Sequence, residues 1–240
     1  MIPRTIHYCW FGRRARSDLN RRCEDSWRSV LRGYAFKEWN ESNAPLDAPY
    51  ARAAQARGLW SKLANYVRLR ALYEEGGLYF DTDVEVMRDF SPLLGEECFV
   101  GFQQKGEDAD WVANGVIGAR RGHPFLGACM RLTEEKFEEA GVFLRSPQVT
   151  TAVLKGWGLS EYGLQEVGGV KVYPAEYFYP FPWYETFSPD CVKENTYSVH
   201  HWEASWIKSR HPLSRARFWF LKRVARSRQR RSAASGRVRD

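Results

Sequence analysis

The chain has 240 residues, enough for one large domain with a substantial core. Its 44% apolar and 15% aromatic content excludes an intrinsically disordered protein, and no apolar run approaches the roughly 18–20 residues of a membrane span. The net charge of +7 belongs to one end: residues 207–240 hold 12 Lys and Arg against one acidic residue, and the first 206 hold 24 against 28. A mildly acidic body with a basic arm argues against a nucleic-acid-binding core. Met1-Ile2-Pro3-Arg4-Thr5 enters a strand at once and lacks the basic start and long apolar core of a signal peptide. Cys9, Cys23, Cys98, Cys129 and Cys191 are odd in number and scattered, with neither metal-ligand spacing nor a disulfide framework. They read as buried thiols in a reducing cytosol.

Residues 5–10 read as an apolar strand running into Phe11-Gly12. Open α/β sheets place nucleotides at the carboxyl end of such a strand. Trp10 therefore reads either as a core residue or as a platform on which a base could stack. Ser17 or Asp18 caps a helix over 19–31, with Cys23, Trp27, Val30 and Leu31 inward and Gly33 as the stop. Residues 34–39 alternate as a second strand, 40–49 form a loop, and a short helix runs to about Arg57. From Trp60 to Glu75 a longer helix is predicted, with Leu63, Val67 and Ala71 on one stripe and Tyr66, Leu69 and Tyr73 alongside. Arg68 lies at the edge of that face, either exposed or directed toward a phosphate or sugar. Gly76-Gly77 ends the helix, since glycine accepts the left-handed position after a last turn.

The stretch over residues 78–86, Leu-Tyr-Phe-Asp-Thr-Asp-Val-Glu-Val, then reads as a buried apolar strand that ends on two carboxylates at i and i+2. Side chains two apart on a strand share a face, so Asp81 and Asp83 could aim at one point with Thr82 turned away. Two converging carboxylates repel unless a cation or a proton lies between them. Oxygen ligands suit Mg²⁺ or Mn²⁺ and leave room for substrate phosphates. A bare Asp-x-Asp is more often a polar turn. A helix, a Gly-Gly stop and a buried strand in front of it make a more specific context.

Beyond it, Ser91-Pro92 turns the chain, 98–102 is a strand, and 106–110 is an acidic loop. Residues 111–119 read as a strand broken at Asn114-Gly115, where Asn114 either bonds a sugar hydroxyl or caps a bulge. Helices over 124–139 and 147–154 and a strand over 170–173 follow. Residues 174–189 are crowded with aromatics and proline and either wall an acceptor pocket or pack on the core. A strand over 197–202 puts His200 and His201 on opposite faces, so at most one reaches the site. Phe218, Leu221 and Ala225, with Trp219 and Val224, give an Arg-rich helix a short apolar side. That helix either lies on an anionic membrane surface or is a solvated, frayed tail, and 229–240 reads as disordered. There is no solenoid repeat, phosphate-binding Gly-x-x-x-x-Gly-Lys loop or Gly-x-Gly-x-x-Gly fingerprint.

Four blocks in order, IPRTIHYCWFG, LANYVRLRALYEEGGLYFDTDVEV, NGVIGARRGHPF and YSVHHWEASW, resemble glycosyltransferase family 32. These are the DXD-containing glycosyltransferases of capsular polysaccharide and mannan synthesis, with the catalytic domains of glucosylating bacterial toxins as more distant relatives. The resemblance covers about residues 1–206 and leaves the basic tail, 207–240, outside. It implies a GT-A fold: an α/β, Rossmann-like single domain with a mixed central sheet. It implies a retaining transferase that takes a nucleotide sugar, a UDP-sugar favoured over a GDP-sugar, with Mn²⁺ or Mg²⁺. The sugar would pass to a glycan or lipid-linked acceptor in polysaccharide synthesis, by front-face attack with no protein nucleophile.

By position the resemblance implies that Trp10 stacks on the nucleobase, that Asn65 and Arg68 contact donor sugar or phosphate, and that Tyr79 lies near the ribose. Asp81 would contact the ribose or sugar and a metal-bound water, and Asp83 would bind the metal. Asn114 would touch the donor sugar, and Trp206 would lie near the diphosphate. His200 or His201 would complete the metal shell, with His200 favoured by its His-x-Trp spacing. Asn65 stands where the family typically carries Asp; it keeps an acceptor but not the charge, which bears on donor identity. The implied setting is cytoplasmic, with the tail as a peripheral contact on the anionic inner face of the membrane and no nucleic-acid partner. One alternative is a phosphohydrolase of the haloacid dehalogenase type, which wants Thr or Val where Glu85 stands. The other is a catalytically degenerate membrane- or polyanion-binding protein working through residues 207–240.

Overall fold

The computed structural model describes residues 1–105, 111–203 and Arg223. In chain order its strands and helices are β1 (Thr5–Cys9), α1 (Asp18–Val30), β2 (Ala35–Trp39), α2 (Pro49–Ala56), α3 (Trp60–Glu75), β3 (Gly77–Phe80), β4 (Val84–Val86) and β5 (Cys98–Phe102). There follow β6 (Val112–Ala119), α4 (Pro124–Ala140), α5 (Ser146–Gly156), β7 (Gln165–Val167), β8 (Val170–Tyr173) and β9 (Ser198–His200). The architecture is α/β. A seven-stranded mixed sheet runs in the order β2-β1-β3-β6-β5-β8-β7, and β4 pairs with β9 in a small second sheet.

β3 is buried on both faces, so its sequence is apolar throughout rather than alternating. Leu78 and Phe80 face a core with Trp27 of α1, Phe90 and Phe178. Tyr79 faces the opposite core, built by α2, α3, α4 and α5 through Tyr50, Leu63, Leu126 and Leu154. β1 lies parallel to β3 with Ile6 opposite Leu78, and β6 lies antiparallel on the other side with Phe80 opposite Val116. A Cβ on Gly77, at φ +115°, would lie 2.6 Å from the Thr5 carbonyl. Only glycine lets the chain leave α3 and enter the sheet there.

The structure corrects three expectations. The strand expected to end on Asp81 and Asp83 stops at Phe80: Asp81-Thr82-Asp83 is the polar turn that such a pair more often forms, and β4 belongs to the other sheet. The break expected at Asn114-Gly115 lies in the pairing with β5, whose register shifts between Phe99 and Gly101, while β6 runs on. Tyr73, placed beside the apolar stripe, is 38% exposed. The 174–189 segment packs on the core through Phe178, Tyr179, Phe181 and Tyr184. Cys9, Cys23, Cys98 and Cys129 are buried free thiols and Cys191 is half-buried. The acidic loop 106–110, Trp206, the Phe218–Ala225 helix and the far tail lie outside the described residues. Among the described residues no helix is long and apolar enough to cross a membrane.

Candidate functional site

The turn that ends β3 is fixed from both sides. Asp81 N–H still donates to Gly115 O at 2.8 Å, extending the β3–β6 pairing by one residue. Val84 N–H then donates to Asp81 O at 3.0 Å and closes the turn. α1 takes hold of β4: Trp27 Nε1 donates to Val84 O at 2.7 Å, and Val86 N–H donates to Ser26 Oγ at 2.9 Å. β9 pairs antiparallel with β4, with His200 opposite Val84. A histidine more than a hundred residues away is thereby brought beside the two aspartates.

Asp81, Asp83 and His200 each offer one ligand atom, and those atoms lie within 4.8 Å of one another. His200 Nε2 is 3.0 Å from Asp83 Oδ1 and 3.8 Å from Asp81 Oδ2. Cis ligands about 2.1 Å from an octahedral Mg²⁺-sized ion stand about 3 Å apart, so this oxygen–oxygen–nitrogen set fits a small divalent cation after a modest side-chain shift. Burial alone would lower the His200 pKa, but the Asp83 and Asp81 carboxylates outweigh it and the net shift is upward. Burial alone would raise the Asp83 pKa, but His200 and the Glu203 N–H outweigh it and the net shift is downward. The two carboxylates therefore favour the protonated form of His200. Gly115 makes room for the cluster: a Cβ there would lie 2.8 Å from Asp81 Oδ2 and 3.6 Å from His200 Nε2.

Arg68 is buried, not exposed. It is 4% exposed, on the inner face of α3. Its Nη2 donates to Asp81 Oδ1 at 2.9 Å and to Asn65 Oδ1 at 3.0 Å. Its Nη1 donates to Asn114 O at 2.7 Å and Asn114 Oδ1 at 3.1 Å. Desolvation would lower its pKa, yet the Asp81 carboxylate raises it on balance, so the guanidinium stays charged. Asn114 is buried and also accepts from Ser146 Oγ at the start of α5. Tyr79 is buried with Arg68 over its ring, and its hydroxyl donates to Asp81 Oδ1 at 3.1 Å. The ribose contact expected of Tyr79 finds no exposed surface on that side chain, which is instead a support for Asp81.

Trp10 follows β1 as Asp81 follows β3, so both stand at the carboxyl edge of neighbouring parallel strands. Its ring is half-buried, its Nε1 donates to Arg14 O at 2.9 Å, and the Arg16 guanidinium lies 5.4 Å from the ring centroid. Arg16 is itself held by Glu24 and Glu38. Of the two histidines, His200 enters the cluster and His201 does not: His201 Nε2 bonds Glu85 Oε2 at 2.7 Å, on the other face of β9. The expectation of His201 as a ligand is corrected accordingly.

Sequence reasoning missed Tyr179, whose ring packs edge-on to His200 with centroids 5.8 Å apart and whose hydroxyl accepts from Val116 N–H at 2.8 Å. Trp202, the Trp of the His-x-Trp spacing, has its ring centroid 4.0 Å from that of His200, and sequence reasoning missed Glu203, whose N–H donates to Asp83 Oδ2 at 2.7 Å. It read Gly115 only as a break. The Asn-Gly pair inside an apolar strand was the available signal, since glycine within a strand often marks a close approach.

Residues 17–100 match the family described as glycosyltransferase sugar-binding region containing DXD motif. Residues 118–226 match the alpha 1,4-glycosyltransferase conserved region. Over these two stretches the chain is similar to DXD-type glycosyltransferases. The first match contains the Asp81–Asp83 turn, and the phosphohydrolase alternative falls with it. Among curated relatives, the lactosylceramide 4-alpha-galactosyltransferase of Rattus norvegicus is 32% identical over 153 residues, covering 58% of this chain and 40% of the relative. The human alpha-1,4-N-acetylglucosaminyltransferase is 28% identical over 146 residues, covering 56% and 40%. The chain thus matches well under half the length of either relative. In fold it is similar to the solved PaToxG glycosyltransferase, with a TM-score of 0.52 at 17% identity, over 65% of this chain and 69% of that one. The fold is GT-A, as the sheet and its edge site imply.

Proposed function

We propose that this glycosyltransferase moves a sugar from a nucleotide-diphosphate sugar to a hydroxyl of a glycan or lipid-linked acceptor, with Mn²⁺ or Mg²⁺ held by Asp81, Asp83 and His200. The observation that carries the reading is the meeting of those three ligand atoms within 4.8 Å at the carboxyl edge of the sheet. When bound, the cation would offset the negative charge that builds on the departing diphosphate. The chain's own residues do the orienting. Arg68 holds Asp81 turned toward the cluster, and Tyr79 fixes the same carboxylate oxygen from beneath. Asn114 is pinned by Arg68 and Ser146, so it is a rigid neighbour of the donor rather than an adaptable one.

The names of both relatives specify an α linkage, and the first names a glycolipid, lactosylceramide. An α-linked product from an α-linked donor keeps its anomeric configuration, which is the retaining outcome, with the acceptor arriving on the face the nucleotide leaves. Capsular polysaccharide assembly is one setting for such an acceptor. Trp10 is assigned to a nucleobase, a uracil in preference to a guanine, on the ring face away from Arg16. Asn65 flanks the donor sugar, and Trp206 the diphosphate. We assign catalysis to residues 1–206 and, to the basic residues 207–240, a peripheral contact with an anionic inner membrane face in the cytoplasm.

The test is a thermal-shift panel of UDP- and GDP-sugars with and without Mn²⁺, followed by donor hydrolysis. One nucleotide sugar should raise the melting temperature only with the metal; saturation at 100 times Kd corresponds to about 2.7 kcal/mol. Asp83→Ala should abolish both the shift and hydrolysis while the protein still melts cooperatively. A panel in which no sugar nucleotide binds would end the proposal.

A further inference from the structure

Asp83 is gripped by the chain that follows β9. His201 N–H donates to Asp83 O at 3.0 Å and Glu203 N–H donates to Asp83 Oδ2 at 2.7 Å. The residue between them, Trp202, adopts φ 53°, a left-handed conformation that bulky side chains avoid. That reversal brings both N–H groups onto one aspartate, and a strained reversal needs anchors on either side. One is Trp202 Nε1, which donates to Phe181 O at 3.0 Å. The other is the Glu203 carboxylate. Its Oε2 accepts from Ser17 Oγ at 3.1 Å and from Asn20 Nδ2 at 3.1 Å.

Ser17 and Asn20 are the capping box of α1. Asn20 Nδ2 also donates to Thr82 O at 3.2 Å, in the middle of the Asp-x-Asp turn. One network therefore holds the turn from the amino-terminal side, through Asn20, and from the carboxyl-terminal side, through the Glu203 N–H. The Glu203 side chain joins the two halves. With Oδ2 of Asp83 taken by the Glu203 N–H, Oδ1 is the oxygen that faces His200 Nε2.

We propose that Glu203 is a positioning residue for the cation site: by tying the chain after β9 to the α1 cap, it fixes the rotamer of Asp83 and thereby which oxygen a divalent cation meets. This rests on the metal-dependent reading above. Glu203 touches neither Asp81 nor the cation. Toward Ser17 and Asn20 its side chain serves as an acceptor for two donors.

The experiment is Mn²⁺ titration by calorimetry in the presence of UDP, on the full chain, for the wild type, Glu203→Ala and Glu203→Gln, alongside melting curves of the metal-free proteins. Glu203→Ala should weaken Mn²⁺ binding at least ten-fold. Glu203→Gln, which keeps an oxygen facing Ser17 and Asn20, should stay within three-fold of wild type. A lower melting temperature with unchanged Mn²⁺ binding in Glu203→Ala would reduce Glu203 to a structural brace and overturn the proposal. So would Glu203→Gln as weak as Glu203→Ala. Should Glu203→Ala fail to fold, Ser17→Gly decides: it removes one donor to Glu203 but keeps an acceptable helix cap, and it should weaken Mn²⁺ binding at least three-fold. Wild-type protein that binds no Mn²⁺ with UDP would sink the functional reading itself, which none of the variant outcomes does.

Discussion

Arg68 Nη2 lies 2.9 Å from Asp81 Oδ1, and this pair joins the helix before the Gly-Gly stop to the turn after β3. The arginine side chain is 5% exposed and the aspartate side chain 25%. Removing one partner of such a pair leaves the other charge uncompensated, at a cost of about 3–5 kcal/mol. Arg68→Met should therefore lower the melting temperature sharply and abolish donor hydrolysis. Arg68→Lys should recover part of the stability and little of the activity. A lysine supplies the charge but not the planar fork that reaches Asp81, Asn65 and Asn114 together. Thermal melts and donor hydrolysis on the two variants check both statements.

Gly115→Ala tests the room left for the cation. Its Cβ would lie 2.8 Å from Asp81 Oδ2, the far end of a side chain, so the carboxylate can yield where backbone could not. Overpacking of this kind costs about 1–3 kcal/mol. The expected outcome is a variant that folds, with a smaller stability loss than Arg68→Met, and that needs about ten-fold more Mn²⁺ for half-maximal donor binding, since 1.4 kcal/mol is a factor of ten. Wild-type Mn²⁺ dependence in Gly115→Ala would mean that Asp81 does not move toward the ion.

Much of this arrangement was legible in the sequence, and the remainder was not for identifiable reasons. The helix over 60–75 and its Gly-Gly stop follow from local periodicity and backbone freedom, and the structure has α3 at those residues. The strand over 170–173 was read, but its hairpin partner β7 was missed although Gly168-Gly169 sits between the two, a turn signal that local reading supplies. The Asp-x-Asp turn reads as strand because Leu78, Phe80, Val84 and Val86 are all buried, and periodicity cannot tell one long strand from two in different sheets. The burial of Arg68 is tertiary: its partners come from β6 and the turn, at separations of 46 and 13 residues. Glu203 and Tyr179 carry no local signal at all, because what they touch is set by how β9 meets β4.

The two histidines give a paired test. His200→Ala removes a cluster ligand, and His201→Ala removes a partner of Glu85 on the opposite face of β9. His200→Ala should raise the Mn²⁺ concentration needed for donor binding by ten-fold or more. His201→Ala should leave that concentration unchanged while lowering the melting temperature modestly, since Glu85 side chain is 24% exposed and keeps access to water. Equal effects on Mn²⁺ dependence would contradict the assignment of the two faces.

His7 gives the metal-free protein a pH signature of its own. Its Nδ1 accepts from Trp39 Nε1 at 3.1 Å and its Nε2–H donates to Gly76 O at 2.9 Å, so the ring is held neutral in one tautomer. Burial is the largest cause of its lowered pKa, and His123 is lowered the same way by burial and then by Arg120. Each takes up its proton at lower pH in the folded state than in the unfolded one, where the value is about 6.5. In that window the unfolded state binds more protons, so stability falls as pH falls. His200 is shifted upward instead; the stability it contributes is complete below 6.5 and is lost only as pH rises through its folded value. Asp83 is shifted downward, and its contribution is lost only in more acidic solution. Between pH 6.5 and 5 His7 and His123 each add to that slope, by no more than about 1.4 kcal/mol per pH unit, and Glu24, whose pKa burial raises, works against it. His7→Gln keeps a donor toward Gly76 O and should flatten that slope by up to this amount, whatever it does to the melting temperature at pH 8. Urea unfolding at half-unit pH intervals in EDTA measures it, and parallel wild-type and His7→Gln profiles would show that His7 accepts its proton in the folded state.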